Sequence, residues 1–137
     1  MKTRTAVIAA FVSLISWAEL FVILGSDAKP ICDPAKGQAE TAEFYKNRGI
    51  EKFKQGDLLG AISDFNKALE LNSEYENAYN NRGIVKWNLE DYEGALSDFN
   101  KALAINPNFF YSYASRGNLK FHLGNYTEAI SDFDKAL

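Results

Sequence analysis

The chain has 137 residues, 47% hydrophobic and 24% charged, with a formal net charge of −3 and a single cysteine. That length suits one domain, or one small domain plus an appendage, and the composition excludes disorder along the whole chain. It also excludes a multi-span membrane protein, a strongly basic face for nucleic acid and an internal disulfide framework.

The first predicted element is residues 1–28, a signal peptide or membrane anchor. Lys2 and Arg4 form a positive start, and 16 of the 19 residues from Ala6 to Leu24 are apolar. A 19-residue helix is about 28 Å long, close to the hydrocarbon thickness of a bilayer. Ser26-x-Ala28 fits a small-x-small cleavage site, with Lys29 as the first mature residue. The length fits an uncleaved anchor as well. In both readings the positive residues stay inside and the rest is exported, secreted or periplasmic in one case and membrane-anchored in the other. Membrane contact is expected only through this segment. Residues 29–41 read as a linker with Pro30, Pro34 and Gly37, in which Cys32 follows Ile31 and so lacks the small neighbour of a lipoprotein site.

Three copies of one 34-residue period follow. Residues 42–69, 76–103 and 110–137 align without gaps, and 11 of 28 columns are identical in all three. Unrelated segments of average composition would share roughly 0.1 such columns. The identical columns begin with Tyr45, Arg48, Gly49, Lys52, Ala61, Ser63, Asp64, Phe65, Lys67, Ala68 and Leu69 and recur every 34 residues. The domains are therefore repeat 1 (42–75), repeat 2 (76–109) and an incomplete repeat 3 (110–137).

Each repeat reads as two helices: 42–55 and 58–71, 77–89 and 92–105, 110–123 and 126 onward. Asp57, Asp91 and Asn125 stand as N-caps of the second helices. Ser73 and Glu76 have capping-box spacing before the second repeat, and Asn106-Pro107 breaks the chain before the third. Gly49, Gly83 and Gly117 fall inside helices, where glycine costs about 1 kcal/mol against alanine. A helix crossing too closely for a side chain explains them, with Ala61, Ala95 and Ala129 as small partners opposite. Asp64, Asp98 and Asp132 are about one repeat, roughly 10 Å, apart, too far to share an ion, and read as a solvated face.

These units resemble the tetratricopeptide repeat family. Repeat 2 carries the aromatic, glycine, Ala-x3-Phe and closing proline of that pattern as Tyr79, Gly83, Ala95, Phe99 and Pro107. Arg48, Arg82 and Arg116 replace its leucine. Lys52, Lys86 and Lys120 replace its second aromatic, with Phe53, Trp87 and Phe121 one place later. The resemblance implies an all-α helix-turn-helix solenoid, a right-handed superhelix whose first helices line a concave groove for an extended peptide or partner helix. Carried over residue by residue, the groove holds Lys46, Ile50 and Phe53, then Asn77, Asn80, Asn81, Ile84, Trp87 and Asn88, then Tyr111, Asn118 and Phe121, with His122 beside them. Asparagine donates and accepts, so it can bond an extended backbone of any sequence. Phe53, Trp87 and Phe121 either contact the peptide or pack between repeats. Family members that clamp a C-terminal carboxylate use five groove positions. Lys46 and Asn81 match two, whereas Ile50, Tyr111 and Ser115 depart.

The expected function is a non-enzymatic interaction scaffold whose partner is another protein. No cofactor or metal site is expected, because His122 is the only histidine and no triad or multi-histidine cluster exists. Two alternatives stand beside it. The last helix, lacking a polar cap, stacks on another chain as a self-assembly module, or the sequence is a piece of a longer array or of an enzyme complex.

Overall fold

The structure, a computed structural model, describes residues 40–137. The expected export segment, most of the linker and Cys32 lie outside the described residues. No helix among the described residues is long and apolar enough to cross a membrane.

Six helices follow one another: α1 (Ala42–Lys54), α2 (Leu58–Leu71), α3 (Glu76–Asn88), α4 (Tyr92–Ile105), α5 (Phe110–His122) and α6 (Tyr126–Ala136). They pack as three hairpins, α1 on α2, α3 on α4 and α5 on α6, and each second helix leans on the next first helix. First helices of neighbouring hairpins touch one another, whereas second helices do not meet. The stack of repeats therefore curves with α1, α3 and α5 on its inner side.

The mid-helix glycines have the predicted cause. A Cβ on Gly49, Gly83 or Gly117 would stand 2.8, 2.7 or 2.8 Å from the ring of Phe65, Phe99 or Phe133, well inside carbon–carbon contact. Ala61, Ala95 and Ala129 are fully buried beneath the same crossing. Between repeats, Phe65 shares its cluster with Val85, and Phe99 shares its own with Leu119.

Each hairpin turn closes by the same pair of backbone bonds. In the first, the amide of Gly56 donates to Phe53 O and that of Asp57 to Lys52 O, a Schellman motif whose C′ residue is left-handed. Gly56 and Gly124 meet that requirement with φ of +84° and +82°, but the equivalent residue in repeat 2 is Glu90, at φ +63°. A side chain in this conformation costs roughly 1–2 kcal/mol.

Two capping expectations need correction. Asp57 and Asp91 accept from the amides of Gly60 and Gly94 at 2.9 Å, but Asn125 makes no side-chain cap bond. A Cβ on Gly60 or Gly94 would lie 2.0 or 2.1 Å from the capping carboxylate, so with a side chain three residues on the cap must take another side-chain position. Repeat 3 has Glu128 there. The capping box does not form either. The N-cap of α3 is Tyr75, and Asn72 Oδ1 accepts from Glu74 N instead. Thr41, assigned to the linker, caps α1 through Oγ1 and the Phe44 amide.

The larger correction concerns the aspartates. Asp64, Asp98 and Asp132 are 2–3% exposed, not solvated. Each receives a bidentate arginine from the preceding helix. Arg82 Nε and Nη2 donate to Asp98 at 2.9 and 2.7 Å, and Lys86 Nζ stands 2.9 Å from the same carboxylate. Arg48 with Lys52 and Arg116 with Lys120 repeat the pattern on Asp64 and Asp132. The guanidinium also lies over the tyrosine of its own repeat, 4.9, 5.4 and 5.5 Å from the rings of Tyr45, Tyr79 and Tyr113. The departures at the leucine and second aromatic thus belong with the aspartate column, as one buried ion cluster per repeat.

Candidate functional site

The inner surface of α1, α3 and α5 holds the residues assigned to a groove, and their burial divides them. On α1, Lys46, Ile50 and Phe53 are half-buried, with Ile50 and Phe53 against the Phe65 cluster. On α3, Asn77 and Asn81 are half-buried, and Ile84 and Trp87 pack on the Phe99 cluster with one side still open. Asn88 is exposed, its side-chain amide donating to Ile84 O at 2.8 Å. On α5, Asn118 is exposed between Tyr111 and Phe121, whose side chains remain 55% and 58% exposed. These three fall at i, i+7 and i+10, along one helix face.

Asn80 does not belong to this surface. It is 6% exposed, and its Oδ1 accepts from the fully buried Ser112 Oγ at 3.0 Å. The reason is local: where repeat 1 has Lys46, repeat 2 turns a short amide toward α5. The aromatic column splits as well. Phe53 and Trp87 pack between repeats along part of their rings, while Phe121 stands outside and meets Tyr126 edge-on at 5.2 Å.

Two residues that the sequence did not single out, Glu90 and Tyr92, join His122 to complete the surface. The His122 ring stands 6.2 Å from that of Trp87 and 5.7 Å from that of Tyr92, bridging the end of α5 to the turn of repeat 2. Ile84, Trp87, Asn88, Glu90, Tyr92 and His122 line an open hollow of about 420 Å³. Tyr92 and Glu90 sit outside the first helices, so helical spacing alone could not place them. The sequence signal for Glu90 was its departure from glycine at a turn position. A larger hollow, about 550 Å³, is lined by α4 alone and has no wall from another helix.

Electrostatics on the helix-pairing side serve the fold. The bidentate bond from Arg48 holds the Asp64 carboxyl below the usual carboxylate range. Burial works against this most strongly at Asp132, yet the bonds from Arg116 and Lys120 still lower it. No group of three or more His, Cys, Asp or Glu side chains that could hold a metal occurs among the described residues. The surface offers aromatic and amide contacts.

Comparison with known proteins agrees with this geometry. Family models described as tetratricopeptide repeat match residues 76–109 and 99–131, and a TPR repeat model matches 49–90. An uncharacterised protein of Methanocaldococcus jannaschii is 46% identical over 37 residues, 27% of this chain, and the match spans 43% of that protein's length. The TPR domain of Arabidopsis OM64 is 30% identical with a TM-score of 0.68, covering 72% of this chain and 81% of that one. The first TPR domain of Spaghetti (RPAP3), solved with the HSP90 peptide SRMEEVD, is 29% identical with a TM-score of 0.68. It covers 73% of this chain and 79% of that one.

Proposed function

The chain belongs to the tetratricopeptide repeat family, and we propose that it is a protein-interaction scaffold that holds an extended segment of another protein along α1, α3 and α5. The observation that carries this reading is the pair Tyr111 and Phe121, large aromatics left more than half exposed on the inner helix with Asn118 between them. Exposed aromatics of that size on one face, bordered by amides, have the composition of a binding surface. The peptide bound to the Spaghetti domain supports the mode. It does not transfer the ligand, because Ile50, Tyr111 and Ser115 stand where a carboxylate clamp needs polar or basic groups.

We further propose that the repeats work outside the cytoplasm, on the strength of Lys2, Arg4 and the apolar run to Leu24. Cleavage of the repeats by a protease that cannot enter the cell would support this, and full protection of a soluble, uncleaved chain would end it.

The binding test is capture of partner proteins from the exported fraction by the full chain and by Tyr111→Ala/Phe121→Ala. Both side chains are exposed, so helical content and melting temperature should hold. Each truncated anchor typically costs 1–2 kcal/mol, so affinity should fall about 30-fold or more. Unchanged capture by the folded double variant would move attention to the outer helices.

A further inference from the structure

Glu90 is the one residue other than glycine with a positive φ among the described residues. Its two sister positions are Gly56 and Gly124, which adopt the same turn. Nothing in the backbone of repeat 2 needs a side chain there, since the amides of Glu90 and Asp91 make the same turn bonds to Trp87 O and Lys86 O as their glycine-turn equivalents. An unfavourable conformation kept where glycine would serve points to a use for the side chain. The Glu90 side chain lines the hollow walled by Trp87, Tyr92 and His122.

The walls and the carboxylate together favour one kind of occupant. The rings of Trp87 and Tyr92 both stand beside His122 at this hollow, and the faces of tryptophan and tyrosine attract cations. Glu90 adds a formal negative charge at the rim, and Asp91 and Glu93 follow it in sequence. The nearby lysines are committed elsewhere, Lys86 to Asp98 and Lys120 to Asp132 and Glu128. The hollow of about 420 Å³ has room for a single long side chain. Resting on the groove reading above, we propose that it takes a cationic side chain, lysine or arginine, from the bound segment, with Glu90 as the countercharge and Trp87, Tyr92 and His122 as the walls.

The test is an NMR titration of the full chain with N-acetyl-lysine methylamide and, in parallel, N-acetyl-norleucine methylamide, its uncharged counterpart. The indole N–H of Trp87 and the ring protons of His122, the single histidine, report. The lysine probe should shift them at a concentration about fivefold lower than norleucine. In Glu90→Gln, which keeps the strained turn, that preference should shrink to what the rings alone supply. In Glu90→Gly it should shrink equally while the melting temperature rises by a few degrees, because glycine relieves the backbone. A weaker preference with a gain in stability is a pattern that a structural role for Glu90 would not give. Equal shifts by the two probes, an unaltered preference in Glu90→Gln, or no shift by either probe would overturn the proposal. None of these would touch the groove reading, which stands or falls on Tyr111 and Phe121.

Discussion

Replacing Gly83 with alanine sets two known effects against each other at one site. Alanine is worth about 1 kcal/mol over glycine inside a helix. Against this, the new Cβ would meet Phe99 Cε1 at 2.7 Å, Phe99 Cδ1 at 3.0 Å and the Ala95 carbonyl oxygen at 3.2 Å. Carbon atoms rest about 3.5–4.0 Å apart, so α3 and α4 must separate by most of an ångström. Phe99 cannot swing aside, being 0% exposed and packed against Ala95 and Leu119, and the oxygen belongs to backbone. Overpacking of this kind costs about 1–3 kcal/mol, which outweighs the helical gain and leaves a net loss of about 1 kcal/mol. For a helical array of this size that lowers the melting temperature by about 4–8 °C, read by circular dichroism and checked by urea unfolding. In a Phe99→Leu background the ring edge is gone, and the same Gly83→Ala change should become neutral or stabilising, a coupling of about 1 kcal/mol. A Gly83→Ala chain more stable than the parent by the full propensity gain would refute the close-approach explanation.

Asp98→Ala strands Arg82 and Lys86 without their shared carboxylate. Breaking a buried pair costs about 3–5 kcal/mol, reduced to about 2–3 here because the two cationic side chains keep 19% and 22% exposure. A urea midpoint unchanged from the parent would contradict it. Acid should unfold the array through the same clusters. Asp64 and Asp132 have lowered native pKa values, so their contribution is complete above the unfolded aspartate value of about 3.9 and is lost as pH falls from there through the lower native values. Melting temperatures taken from pH 7 to pH 2 should drop in that window, and Asp64→Asn/Asp132→Asn should flatten the drop. An equal drop in the double variant would place the acid sensitivity elsewhere.

The helices were legible because identical columns recur with a fixed period, and their bounds agree with the structure to within a residue. The glycines were legible because a helix rarely tolerates one without a steric reason. The aspartates were misread because burial of a charge depends on a partner from another helix, 16 residues away in every repeat, and helical spacing speaks only of one helix at a time. The clue was present in the columns themselves, since Arg, Lys and Asp recur together. At the candidate surface, Trp87, Ile84 and the asparagines could be placed on the face by spacing. Asn80 could not be removed from it, because its fate depends on Ser112 of the next repeat. Glu90, Tyr92 and His122 meet only once two hairpins are docked.

The Asn80–Ser112 bond also writes an order into the array. The arginine of repeats 2 and 3 reaches back to an asparagine of the unit before, Arg82 to Asn66 and Arg116 to Asn100, so that junction would accept either unit as its successor. The inner junction would not. Repeat 1 offers Lys46 where repeat 2 offers Asn80, and repeat 2 answers with Ala78 where repeat 3 answers with Ser112. Were repeat 2 duplicated in tandem, Asn80 would face a buried alanine and lose its only side-chain partner, a loss of about 1–3 kcal/mol. The three near-copies are therefore not interchangeable tiles: one hydroxyl and one amide act as a grammar that says which unit follows which.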